Sequence, residues 1–258
     1  MPLSLMNFIE ASADFADHDA INPIHVSGLH APMASTPPLL AARSTKDRWH
    51  AGAWILWRPG SSLDNPAVPT GQLGGSQAGV RLDYDLRPHA ESRMTAYGRL
   101  TTALQRPAAP EAAVGLSIQP VRAIPITLAA ERRIALGTGG RNANAVMAVG
   151  GFGPTPITPS VMAEAYAQTG VVGFRQREAF IDGKFSLTTP LFGTPLRLGA
   201  ALSGGAQPGV SRLDIGPQLQ IRLPLPQTNA RLSVEWRERI AGYARPGSGL
   251  AITLAADF

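Results

Sequence analysis

The chain has 258 residues, a net charge of +5 and no cysteine. It carries no run of about 18 apolar residues, so no transmembrane helix is encoded. That leaves open a membrane β-barrel, whose strands need only every second residue to be apolar. The absence of cysteine fits an envelope protein. Gly and Pro are abundant, helix signals are few, and the composition favours an all-β chain with many turns. The basic charge is carried by Arg, with Lys46 and Lys184 as the lysines. These arginines are spread singly along alternating segments, which argues against a nucleic-acid surface, where basic residues cluster.

Residues 1–46 read as an N-terminal extension. Asn7 to Ala20 is weakly helical and acidic, and Ala31 to Ser44 is a linker rich in Pro, Ala and Ser. The expected place for this part is the periplasm or the lumen of a barrel. Residues 1–40 do not show the basic start, apolar stretch and small-residue cleavage site of a secretory signal. For an envelope protein that leaves a mature or excised fragment, a misplaced start, or a different fold.

From Asp47 onward the period is two. Candidate strands are 48–58, 76–87, 93–105, 111–120, 124–135, 142–151, 162–173, 178–189, 195–204, 210–223, 228–240 and 248–258. Twelve such segments suit an antiparallel transmembrane β-barrel over 47–258, since bacterial barrels have an even count and strands of about 9–11 residues. In the clearest segment, Ala78, Val80, Leu82, Tyr84 and Leu86 share one face. Gly79, Arg81, Asp83, Asp85 and Arg87 share the other. Successive side chains point to opposite sides, so one face is apolar and one charged. The segments at 210–223 and 228–240 repeat the plan, while alternation breaks around Val171–Gly173. Pro59–Gly75 reads as a long external loop, Phe152–Ser160 as an unusually long periplasmic connection, and Gly137–Gly140 as a hairpin turn.

The chain's last segment has Leu250, Ile252, Leu254, Ala256 and Phe258 on one face and ends on the aromatic. This resembles the C-terminal assembly signal of bacterial outer-membrane barrels. It implies outer-membrane lipid and lipopolysaccharide, together with the barrel-assembly machinery, as partners.

On the barrel plan the lumen is lined by Arg81, Asp83, Asp85, Arg87, Arg99, Glu131, Arg133, Arg197, Arg212, Asp214, Arg222, Arg231, Glu235, Arg237 and Arg239, with Lys184, Asp182 and Asp257 on the same face. Bases outnumber acids. The structural reading is a ladder of pairs that holds the barrel's shape. The functional reading is a positive lumen that concentrates a polysaccharide or anionic solute, since the Arg fork binds two oxygens at once. Arg132 and Glu238 fall on the outward face. Trp49, Trp57, Tyr84 and Trp236 are outward and suit aromatic girdles. Of the histidines only His50 lies in a strand, with no triad spacing. No metal-ligand spacing appears, and neither a catalytic centre nor a cofactor is expected.

Three stretches carry a family resemblance: Gly71-Gln72-Leu73-Gly74-Gly75-Ser76-Gln77-Ala78-Gly79-Val80-Arg81, Pro125-Ile126-Thr127-Leu128-Ala129-Ala130-Glu131-Arg132-Arg133, and Ala256-Asp257-Phe258. Residues 47–258 resemble the C-terminal outer-membrane barrel of exopolysaccharide-export proteins, the family of the cellulose-synthase outer-membrane subunit and phage-adsorption protein A. That resemblance implies a periplasmic helical-repeat scaffold and polysaccharide export. Residues 1–46 contain no ~34-residue helical repeat, and twelve strands are fewer than the sixteen of the cellulose export barrel. The leading expectation is a barrel channel for a polysaccharide or anionic solute. The rival is a structural or docking barrel with a plugged lumen that recruits periplasmic partners through its N-terminal segment. An outer-membrane hydrolase is a distant third.

Overall fold

The computed structural model describes residues 48–59, 74–88, 90–105, 109–137, 142–174, 177–225 and 228–258. The N-terminal extension, most of the long β1–β2 loop and most of the Gly137–Gly140 turn lie outside them. Twelve strands are present: β1 (Trp49–Trp57), β2 (Gln77–Asp85), β3 (Arg93–Ala103), β4 (Glu111–Gln119), β5 (Ile126–Ala135), β6 (Ala143–Thr158), β7 (Val161–Val172), β8 (Glu178–Pro190), β9 (Leu196–Gln207), β10 (Val210–Leu225), β11 (Thr228–Gly242) and β12 (Gly249–Asp257). Each pairs with the next, and β1 pairs antiparallel with β12, so the sheet closes into a barrel. Closure satisfies every edge, which an open sheet of this size would leave exposed.

The closing seam is made by the last strand. Ala53 faces Ala256, Ile55 faces Leu254 and Trp57 faces Ile252. The ladder continues to the final residue, where the Phe258 amide donates to the Ala51 carbonyl at 2.8 Å. Leu254 and Phe258 are exposed on the outside of the wall.

The distribution of polarity is the reverse of a soluble protein's. Large apolar side chains are exposed outward, among them Ile55, Val80, Leu100, Leu116, Leu128, Val146, Ile181, Leu202, Ile215, Ile240 and Leu254. The buried set is dominated by Ala and by polar and charged residues such as Arg99, Glu131, Asp214, Gln218 and Glu235. A soluble sandwich buries its apolar face. This inverted plan fits an outer-membrane barrel. The outward face of β7 is small at Ala165 and Ala167, and beside it Phe152, Ile181, Phe185, Leu202 and Leu213 border an apolar groove of about 670 Å³.

Trp49 packs on Tyr84 with ring centroids 4.7 Å apart, near the Phe258 end of the barrel. Tyr84 is half-buried, whereas Trp49, Trp57 and Trp236 are exposed outward.

Two boundaries differ from the sequence reading by more than two residues. Phe152–Ser160 is not a loop: β6 runs on to Thr158 and turns into β7 through Pro159 and Ser160. Pro154 and Pro156 are tolerated because the register shifts between Phe152 and Thr155 and again between Pro156 and Thr158. Bulges are where a strand can accept a residue without a ladder donor. Similarly, β9 continues to Gln207 and β10 starts at Val210, with Gly209 at φ 78° in the turn. The break expected around Val171–Gly173 is the end of β7, where Gly173 takes φ 79°.

Candidate functional site in the barrel interior

Strand alternation places the charged residues inside, and ring closure brings together strands that are far apart in sequence. On one wall, Glu131 of β5 is the hub. Arg99 Nη2 donates to its Oε1 at 2.7 Å, Arg133 Nε at 2.6 Å, and the Tyr97 hydroxyl donates to Oε2 at 2.9 Å. Arg99 also reaches Glu111 at 3.0 Å. Arg81 bonds Asp83 at 2.8 Å while its guanidinium sits 3.9 Å from the Tyr97 ring centre. Asp85 accepts from Arg93 and from Thr95, both at 3.0 Å, and His50 Nε2 lies 3.5 Å away.

The opposite wall carries a second network that crosses the lumen. Lys184 of β8 contacts Glu235 of β11, which also accepts from Arg237 at 2.8 Å and from Ser233 at 3.2 Å. Arg231 of β11 donates to Glu164 of β7 at 2.7 Å. Gln218 donates to Ser233 at 3.0 Å. The Lys184–Glu235 and Arg231–Glu164 pairs link strands three and four places apart round the ring, so these two are chords of the barrel.

At the end opposite Phe258, three guanidinium groups converge on Asp214. Arg212 is hydrogen-bonded to it, Arg58 lies at 3.7 Å and Arg239 at 3.8 Å. Arg58 is 1 % exposed although it follows the end of β1. Burial, then repulsion from Arg212 and Arg237, pulls its pKa down to about 9. Burial and nearby like charge both disfavour the charged form of a cation.

Arg81, Asp83, Asp85, Arg99, Glu131, Arg133, Arg212, Asp214, Arg231, Glu235, Arg237 and Arg239 are thus buried or half-buried within these networks. Arg197 is half-buried on β9. Arg222 is exposed near the Phe258 end of β10. Arg87 is exposed beyond the end of β2, where alternation has stopped, and so does not extend the row of Arg81 and Asp85. Arg132 and Glu238 face outward and are exposed. They bond local neighbours: Arg132 donates to Asn144 at 3.1 Å, and Glu238 accepts from Trp236 at 3.1 Å and Ser248 at 2.9 Å.

Sequence reasoning missed the interior aromatics. Trp54 and Leu56 of β1, Tyr166 of β7, and Ala251 and Ala255 of β12 form one buried apolar cluster. In a ring of twelve, β7 stands directly opposite β1, so Tyr166 reaches across the full lumen to the β12–β1 wall. Trp54 has its place because Gly79 faces it across the β1–β2 pair. A Cβ on Gly79 would stand 2.2 Å from Trp54 Cζ2. The same device recurs where Gly115 faces Tyr97, with a Cβ there 2.6 Å from Tyr97 Cζ. The signal was parity: Trp54 has opposite parity to the outward Trp49 and Trp57, and Tyr166 shares parity with the buried Gln168.

Beside Tyr166, the cavity bounded by Glu164, Lys184, Gln218, Arg231 and Thr253 measures about 40 Å³. A cavity of that order holds a few waters. A sugar residue is far larger. Against known families and curated proteins, the chain finds no match.

Proposed function

We propose that this chain is a non-catalytic outer-membrane barrel whose lumen is closed at mid-height. In this reading it acts as a membrane-anchored docking body, and not as an open pore. The inverted polarity supports membrane insertion, because an outward apolar band of this extent is unfavourable in water. The observation that carries the closed lumen is the reach of Tyr166 across to the Trp54 wall, with the Lys184–Glu235 and Arg231–Glu164 chords beside it.

The resemblance to exopolysaccharide-export barrels favours a second reading, passage of a polysaccharide or anionic solute along the interior arginines. That reading requires the aromatic crossing and the two chords to move aside. The outer-membrane lipid and the assembly machinery are the partners implied in either case, with the terminal Phe258 strand as the segment the machinery would engage.

Heat-modifiability tests membrane insertion. In detergent, the full chain is expected to give a β-rich far-ultraviolet circular dichroism spectrum and to change its gel mobility on boiling. A protein that is monomeric and soluble without detergent would overturn the membrane reading.

A further inference from the structure

Residues 243–248, which join β11 to β12 at the end opposite Phe258, are drawn over the arginine cluster. Ala244 is fully buried and packs on Val210, and Pro246 is buried, while Tyr243 is 67 % exposed. Arg58 Nη2 donates to the Gly247 carbonyl at 2.9 Å, Arg212 Nη1 to the Pro246 carbonyl at 3.4 Å, and Arg239 Nη2 also to that of Pro246. The amides of Tyr243 and Ala244 both donate to the Ser211 carbonyl at 3.0 Å.

We propose that Arg58, Arg212 and Arg239 form an oxyanion site of the phosphate class, and that residues 243–248 are a strap that a bound anion displaces. The strap supplies neutral carbonyl oxygens to guanidinium donors. A charged oxyanion makes shorter bonds, roughly twice as strong, with the same donors, and the Arg fork matches its geometry. Guanidiniums from the end of β1, from β10 and from β11 converge there on Asp214. A second observation points the same way. Arg237 is 3 % exposed, and its Nη1, like Arg239 Nε, has no hydrogen-bond partner among the described residues. These are buried donors in the same cluster. The inference stands on the fold and does not depend on the lumen being closed.

Cysteine accessibility tests it, because the chain has no native cysteine. Val210→Cys and, separately, Ala244→Cys are made in the full chain, with Tyr243→Cys as the exposed control. In zwitterionic micelles, both buried positions are expected to react with a maleimide at least about tenfold more slowly than the control, as for a site that reacts only on local opening. Inorganic phosphate should accelerate them saturably, whereas sodium chloride of equal ionic strength should not. A second arm compares phosphatidylcholine vesicles with vesicles containing phosphatidylglycerol, both without added phosphate. Acceleration in that arm identifies a lipid headgroup as a competent source of the anion, and acceleration by free phosphate alone identifies a soluble one. Arg58→Ala with Arg239→Ala should leave labelling fast and insensitive to phosphate. Hydrogen exchange of residues 243–248 in the unmodified chain should rise with phosphate and guards against misfolding of the cysteine variants. Acceleration by neither phosphate source, or an equal effect of chloride, would overturn the proposal.

Discussion

Replacing Trp54 and Tyr166 together by Ala is expected to turn a non-conducting barrel into a conducting one. The two side chains come from opposite walls and are 5 % and 3 % exposed. They belong to a single apolar cluster that joins β1 and β12 to β7. Their loss leaves a gap lined partly by Glu164, Lys184, Gln218 and Arg231. A polar gap of that kind fills with water and does not stay dry. In planar bilayers the unmodified chain should show no sustained current steps, and the double variant should show steady ones with anion preference from the surplus of arginine. Sustained steps of equal size from both proteins would remove the aromatic crossing from the account.

The second large effect is expected at Glu131. Its carboxylate is shared by Arg99 and Arg133, which are 4 % exposed each, and by the Tyr97 hydroxyl. Glu131→Ala leaves two buried cations without their principal counter-charge. Breaking a buried pair from one side costs about 3–5 kcal/mol. The neighbouring Arg132→Ala acts on an exposed side chain bonded only to Asn144 among the described residues, and surface changes of that kind stay within about 0.5 kcal/mol. Urea unfolding in detergent micelles, followed by tryptophan fluorescence, compares the two. Equal midpoints for Glu131→Ala and the unmodified chain would mean that the hub does not hold the wall.

The strand plan was legible because one physical constraint repeats through it. A wall with lipid on one side and a charged interior on the other forces a period of two, and Gln77 to Asp85 displays it without exception. The same rule located Arg99, Glu131, Asp214 and Glu235 inside. It failed where local chemistry obscured the period. Pro154 and Pro156 suggested a loop, yet register shifts carry β6 through them. Partners across the lumen were not legible at all. That Lys184 meets Glu235 or Arg231 meets Glu164 depends on the tilt and stagger of the closed ring, which no local pattern encodes. Trp54 and Tyr166 show a different failure. Aromatics in a barrel invite assignment to the interfacial girdles, and only strict parity separates the inward Trp54 from its outward neighbours Trp49 and Trp57. The strap at residues 243–248 reads as an ordinary Gly- and Pro-containing connection, because burial of Ala244 depends on its packing against Val210 of β10, which its own sequence does not encode.

Lipid contact at the outer wall is the central claim, and tryptophan quenching by brominated acyl chains tests it most directly. Single-tryptophan variants would retain either Trp236, which is 50 % exposed on the outward face, or Trp54, which is 5 % exposed inside. In vesicles of brominated phosphatidylcholine, Trp236 should be strongly quenched and Trp54 should keep its emission. Quenching of neither tryptophan, in a protein that folds without lipid or detergent, would contradict a barrel that spans the membrane.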